Sequence, residues 1–406
     1  MSLILTLNTG SSSLKFGLYE NAAEPELLMH GQVDRIGDAA QLLVHTDGAK
    51  AVRNISADCP AAALNHVIEE LRRTIGDTRI EGVGHRIVHG GPDFADPKVL
   101  NTEILDQLAA FSPLAPLHQP HNLAGVTVAR EAFPKAIQVG CFDTAFHRGH
   151  PWVNDTFAIP RKFYDKGIRR YGFHGLSYDY VTGVVAQKHP DLHAGRTVIA
   201  HLGNGASICA VREGKSVGST MGFSALDGLP MGTRCGQIDP GVLLYLIEQE
   251  GMDPQDVMRM LYRESGLLGL SGQSSDMRTL LASRAPEAAE AVDYYVFRAR
   301  REIGAMTAVL GGIDALVFCG GIGENAAIIR QRIVEGLEYL GLFVETEANA
   351  RNALDIGQGT TRIMVVPTDE ERVIARAVNR ALENPQDARP VSSNVDPSFG
   401  VRDVPV

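Results

Sequence analysis

Residues 196–219, RTVIAHLGNGASICAVREGKSVGS, read as an apolar strand, a glycine-rich turn and two further short strands. The opening of the chain reads the same way. LTLNTGSSSLKFGLYE at 5–20 is a strand, a turn of one Gly and three Ser, and a second strand headed by Lys15. Setting Gly10-Ser11-Ser12 against Gly205-Ala206-Ser207 puts the two turns at one place in the two halves. A second echo pairs EGVGHRIVHGG (81–91) with DALVFCGGIG (314–323), each an apolar strand closing on two glycines. Repetition at this scale predicts two similar lobes with a cleft between them.

Around these repeats the pattern predicts strands at 3–8, 14–20, 27–33 and 41–46, joined by turn residues. Helical periodicity follows at about 60–75, 102–111 and 120–132, with strands near 79–88 and 136–141 between. In the second half, helices are expected at about 240–250, 254–264 and 286–310, a strand at 314–319 and a further helix from 325. The tail from Asn384 has four prolines and no helical period, and reads as extended along a lobe.

With 406 residues the chain is long for one core, which again favours two lobes. Its 44% hydrophobic and 21% charged residues are those of an ordinary globular protein. A formal charge of −10 with no offsetting basic run argues against a nucleic-acid partner. MSLILTLN lacks a basic lead, and the most apolar later stretch (304–323) is broken by Asp314 and six glycines, so neither a signal peptide nor a membrane span is expected. Five widely spaced cysteines without a C-x-x-C pair fit a reducing cytoplasm. The pairs His85/His89, His118/His121 and His147/His150 have metal-like spacing. Residues i and i+4 of a strand lie about 13 Å apart, however, and Pro or Gly interrupts the other two pairs, so no His-ligated metal is expected.

A Walker A loop is absent, since GKS at 214–216 has Cys209 where its first glycine belongs. GGIGENA at 320–326 lacks the third glycine of a dinucleotide fingerprint. What remains is a pair of hairpin turns whose N–H groups and hydroxyls could hold phosphate oxygens, with Lys15 adding charge; each turn alone reads as a plain hairpin, and the repetition is what favours a phosphate. GGIGEN (320–325) closes a strand and opens a helix. Its glycines either admit a ligand to the backbone or let helix and strand pack, and Glu324 or Asn325 can cap the helix. Arg86 sits in an apolar strand, where its fork suits a carboxylate substrate or a buried ion pair. Asp143 ends another strand, as turn and cap residues often do. His174 follows an aromatic pair and is either a core residue or a ligand. Thr368 and Glu371 form a capping box that leaves Glu370 free to point elsewhere.

NTGSSSLK, GHRIVHGG, FDTAFH, RRYGFHGLSY, HLGNGAS, MGTRCGQIDPG, GGIGEN and PTDEE occur in the order and approximate spacing of the acetate kinase family, and the resemblance covers essentially the whole chain. It implies an α/β fold of two duplicated actin-like ATPase (ribonuclease H-like) lobes of βββαβαβα type about a cleft. Residues 1–148 with 376–406 would form the acid and Mg²⁺ side, and 149–375 the nucleotide and dimerisation side. The implied reaction is reversible transfer of the ATP γ-phosphoryl group to acetate, giving acetyl phosphate and ADP, with Mg²⁺, for which Mn²⁺ can substitute.

By resemblance Arg86 binds the acetate carboxylate, Arg234 stabilises the transferring phosphoryl group, and His174 bonds its oxygens. Asp143 orients the substrate or Arg86; a proton-transfer role is unnecessary because acetate is ionised at neutral pH. Asn8 and Glu370 direct the metal. The nucleotide falls to Lys15 with Ser11, Ser12 and Ser13, to His201, Leu202, Gly203, Asn204 and Gly205, to Asp276 and Arg278, and to Gly321, Ile322, Gly323, Glu324 and Asn325. Val88, Leu117 and Phe173 line a small acyl pocket. The resemblance further implies a cytoplasmic homodimer. One departure bears on that pocket: Ala225 in SALDGL stands where the family usually has Pro, so a roomier pocket that could admit propionate is expected, while Val88 favours acetate.

Overall fold

The computed structural model describes residues 2–10, 12–46, 48–76, 78–116 and 118–384. Ser11, Leu117 and the proline-rich tail beyond Asn384 lie outside the described residues.

Strands β1 (Ser2–Thr9), β2 (Ser13–Glu20), β3 (Leu27–Asp34), β4 (Gln41–Thr46), β5 (Ala49–Asn54), β6 (Arg79–Ile87), β7 (Lys98–Val99) and β8 (Ile137–Phe142) form one sheet, in spatial order β5-β4-β3-β2-β1-β6-β8-β7. Strands β9 (Arg196–Leu202), β10 (Ala206–Arg212), β11 (Lys215–Ser219), β12 (Ala315–Cys319) and β13 (Arg362–Val365) form the second, ordered β11-β10-β9-β12-β13. In both sheets the first strand runs antiparallel to the next in sequence and parallel to the strand on its other side, β1 between β2 and β6, β9 between β10 and β12. A further parallel strand follows in each, β8 beside β6 and β13 beside β12. The repeat in the sequence is therefore a repeat of sheet order.

Its register differs from the sequence alignment. β1 ends at Thr9 and β9 at Leu202, so Gly10 answers to Gly203, two residues before Gly205. Strands β5 and β7 were not expected. The residues of β5 are exposed or half-exposed and include Lys50 and Arg53, which hides its period, and β7 is only two residues long. The helix expected from 325 already begins at Gly320 (Gly320–Asn325) and resumes as Ala327–Val334. The helix expected over 254–264 is α-helical only for Pro254–Arg259 and continues as a π turn, Met260–Glu264.

Each sheet buries one face under its own helices. Pro60–Ile75 covers the first, with Ala63, Leu64, Val67 and Leu71 in the core, and the long Pro286–Leu310 helix covers the second. The final helix, Glu370–Glu383, lies on the other face of the first sheet from its first turn, with Val373 and Ile374 packed beside Ile4, Val139 and Cys141. It approaches β6 closely because two strand positions are glycine. A Cβ on Gly82 would lie 2.2 Å from Val378 Cγ1, and one on Gly84 2.2 Å from Ile374 Cγ2. This close approach sets Glu370, at the start of the helix, over the strand ends. Among the described residues no helix is long and apolar enough to cross a membrane.

Replacing Gly84 by Ala should force the Glu370–Glu383 helix away from β6. The expected loss is about 1–3 kcal/mol, the usual range for an overpacked core, read as a lower midpoint of thermal unfolding. Adding Ile374→Ala should restore part of it.

Candidate active site

In each lobe the parallel strands end on the same side, where ligands gather in open α/β sheets. Asn8 comes from the end of β1, Arg86 and Val88 from the end of β6, Asp143 from just past β8, His201 from β9, and Gly320 and Gly321 from just past β12. All of them, with Glu370, line one cavity of about 490 Å³.

Arg86 meets Asp143 side-on, Nε to Oδ1 at 2.9 Å and Nη2 to Oδ2 at 2.5 Å, and Nη1 donates to Asn8 Oδ1 at 3.1 Å. Glu370 Oε2 stands 3.7 Å from Nε, and its other oxygen accepts from the Ser177 hydroxyl. Of the two alternatives the sequence left for Arg86, the ion pair is realised, and the guanidinium also lines the cavity. Burial would raise the Glu370 carboxyl, but Arg86 and the Ser177 hydroxyl hold it below its ordinary value. Burial lifts the Asp143 carboxyl, and the two-point contact with Arg86 opposes that lift.

His174 is the N-cap of the Gly175–Lys188 helix and sits in the left-handed region at φ 59°. Its Nδ1 pairs with Ser207 Oγ at 2.8 Å, its ring stacks on His201 at 4.3 Å, and burial, with His201 and both cleft arginines, keeps it neutral. From behind, His147 Nε2 bonds the Phe173 carbonyl at 2.9 Å, and Gly175 N donates to the Asp143 carbonyl at 2.8 Å. Arg234 donates from Nη1 to the Ala225 carbonyl at 2.8 Å, and no carboxylate of the described residues lies in ion-pair range of it. Gly205 lets these groups converge: a Cβ there would lie 2.8 Å from Arg234 Nη2 and 3.2 Å from His174 Nε2.

The remaining candidates divide. Ser13, Lys15, Gly203, Asn204, Gly205, Phe173 and Gly321 line the same cavity. Ser12 is exposed, and the Leu202 side chain is buried in the core of the second sheet. Ile322, Gly323, Glu324 and Asn325 lie on the helix leading from Gly321. Glu324 Oε1 accepts from Gly320 N at 2.9 Å and Thr368 N at 3.1 Å, tying that helix to the segment that carries Glu370. The fully buried Arg330 braces the same helix through the carbonyls of Gly323 and Glu324. Asp276 caps the Met277–Ala282 helix and pairs with exposed Arg278 at 2.6 Å, and neither lines the cavity itself. The capping box is corrected. Asp369 is the N-cap, its Oδ1 accepting from Arg372 N at 3.0 Å, and Glu370 is the first helical residue. Thr368 turns to Glu324 instead.

His118 and Asn122 are among the lining residues missed as site residues. His118 appeared only as half of a metal-like pair. Asn122 joins the ends of β1 and β6, accepting from Val88 N at 2.9 Å and donating to the Thr9 carbonyl at 2.6 Å, a link no local pattern announces.

Two guanidinium groups, a lysine and a neutral imidazole facing glycine turns across a cleft make the site of a phosphotransferase. Residues 3–376 match the family model described as the acetokinase family. An acetate kinase of Methylocella silvestris is 50% identical over 389 residues, 92% of this chain and 96% of that protein. One of Rhizobium meliloti is 48% identical over 392 residues, 93% and 97% of the two chains. The solved acetate kinase of Porphyromonas gingivalis superposes with a TM-score of 0.86 at 35% identity over 94% of this chain and 100% of that one. A propionate kinase from Francisella tularensis gives 0.88 at 35% identity over 93% and 99%. The chain belongs to the acetokinase family and has its two-lobed, actin-like ATPase fold.

Burial pushes His85, His118 and His147 down to about 4. Below about pH 6.5 the unfolded chain takes up protons that these folded imidazoles refuse, so their contribution is complete above 6.5 and lost progressively toward pH 4. Thermal midpoints should hold steady from pH 7 to 8 and fall below 6.5, with a shallower fall in His85→Gln.

Proposed function

We propose that this protein transfers the γ-phosphoryl group of ATP to acetate, reversibly and by direct in-line displacement. The observation that carries this reading is the convergence of Arg86, Arg234 and His174 on one cleft beside a small apolar recess lined by Val88 and Phe173. Arg86, its fork oriented by Asp143, holds the acetate carboxylate with its methyl group toward Val88 and Phe173. Arg234 and His174 then face the phosphoryl group in flight, where positioning and charge neutralisation supply most of the catalysis. Acetate attacks as the anion, so Asp143 acts on Arg86 and moves no proton.

The nucleotide phosphates lie along the turns at Gly10 and 203–205 and along Gly320–Gly321, with Lys15 beside them. Asn8 and Glu370 bring hard oxygen donors to the same cavity. That donor set suits Mg²⁺, which typically takes one or two carboxylates and completes its shell with water and phosphate. When bound, the ion would neutralise phosphate charge.

A hydroxamate assay with ATP, Mg²⁺ and acetate tests the reaction. Acetyl phosphate should form only when all three are present, and ATP hydrolysis indifferent to acetate would instead favour a nucleotide-gated scaffold. Arg234→Ala should lower kcat by about 10²–10³-fold while the ATP dissociation constant, measured calorimetrically, stays nearly unchanged. Loss of ATP binding with intact turnover would reverse the assignment.

A cytoplasmic homodimer completes the proposal. The Pro240–Glu248 helix, PGVLLYLIE, has no buried residue and exposes Val242, Leu244 (57%), Tyr245 (54%) and Ile247. Such an apolar face fits a second copy of the chain. Light scattering should give twice the chain mass, and Leu244→Glu should halve it. The five cysteines are unpaired, as in a reducing compartment.

A further inference from the structure

We propose that Tyr262 sets the length of acyl chain the enzyme accepts, a proposal that rests on the reading that the acid lies against Val88 and Phe173. Ala225, in place of a larger ring, led to the expectation of a roomier pocket. The recess lined by Val88, Phe173, Ala225 and Tyr262 measures only about 10 Å³. That is barely the ~10–15 Å³ a single water needs, so the corner between Ala225 and Tyr262 is closed, while Val88, Phe173 and Ala225 also face the open cavity that holds Arg86. Tyr262 is the largest side chain on that wall, and its phenol lies near Ser224 and Arg234.

The backbone holds the ring there by an unusual turn. Tyr262 lies in the π turn Met260–Glu264, and π turns are frequent at functional sites. A regular helix advances by about 100° per residue, so the extra residue re-aims every side chain that follows it. The turn is also fastened to the loop that carries Arg234. Cys235 N donates to the Leu261 carbonyl at 3.1 Å, Thr233 Oγ1 to the Tyr262 carbonyl at 2.9 Å, and Ser265 N to the Thr233 carbonyl at 3.0 Å. Both sequence neighbours of Arg234 are thus bonded to the segment that carries Tyr262. The wall of the acyl recess and the phosphoryl-facing arginine are set by one piece of structure, so a chain too long for the recess would displace its carboxylate from the line of transfer.

The test is kcat/KM for acetate, propionate and butyrate in the wild type, Tyr262→Ala, Tyr262→Leu, Tyr262→Phe and Val88→Ala. Tyr262→Ala should raise the propionate-to-acetate ratio by about tenfold, the lower end of what one methylene in an apolar pocket is worth. Tyr262→Leu should fall between, and Tyr262→Phe, which keeps the ring, should retain the wild-type ratio. The KM for ATP should stay near the wild-type value throughout. A ratio of two acids in one preparation is not moved by partial misfolding, so a general loss of structure would not imitate the result. If Val88→Ala shifts the ratio while neither Tyr262→Ala nor Tyr262→Leu does, Tyr262 is not the determinant and the pocket assignment stands. If none of the three shifts it, the acid binds elsewhere and both readings fall.

Discussion

The site depends on one ion pair, Arg86 with Asp143. Parallel pairing of β6 and β8 sets Arg86 beside Cys141 and Ile87 beside Phe142, and the bond from Asp143 N to the Ile87 carbonyl, 3.0 Å, carries the ladder one residue further. The carboxylate therefore reaches the guanidinium side-on and meets two of its nitrogens. Removing two charges from water costs several kcal/mol each, and the geometry must be good to offset it. Here the fork is met at Nε, Nη1 and Nη2 by Asp143 and Asn8. Its plane is set before any substrate arrives, which is the preorganisation an in-line transfer needs.

The rest of the cleft is organised by charge without full compensation. Arg234 is half-buried and bonded to a carbonyl instead of a carboxylate, so its positive charge stays available to an anion. The neighbouring imidazoles answer by staying neutral, His201 being pushed down to about 4, mainly by burial. A neutral ring can still donate one hydrogen bond to a phosphoryl oxygen while the arginines supply the charge. In a partly buried site each of these interactions is stronger than at the surface.

Of the four described non-glycine residues with positive φ, one, His174, lies at the same place. A non-glycine residue in the left-handed region, such as His174, costs of order 1–3 kcal/mol and persists only where its surroundings insist on it. The surroundings are explicit: His147 holds the carbonyl before it, Asp143 the amide after it, and Ser207 its ring. Because Asp143 also orients Arg86, the two groups are positioned relative to each other through one residue. Opposite them, Gly205 supplies the space in which Arg234 and His174 approach.

Local sequence was enough for whatever depends on local periodicity. The alternation and turn residues of 5–20 placed strands within a residue of their true ends, those of 196–219 announced three strands about a turn, and their repetition announced two similar lobes. Arg86 and Asp143 stood out because charge is rare in apolar strands, and the family motifs gathered most of the cleft. Other features were decided only when distant segments met. Asp369, and not Thr368, caps the last helix because Thr368 is drawn to Glu324. Asn122 matters because two strand ends finish beside it, and Tyr262 because the Met260–Glu264 π turn sits against the recess that Val88, Phe173 and Ala225 also line. The physical reason is one of range: periodicity and turn chemistry act over a few residues, whereas a cap, a pocket wall or an ion pair is chosen by packing between residues tens to hundreds of positions apart.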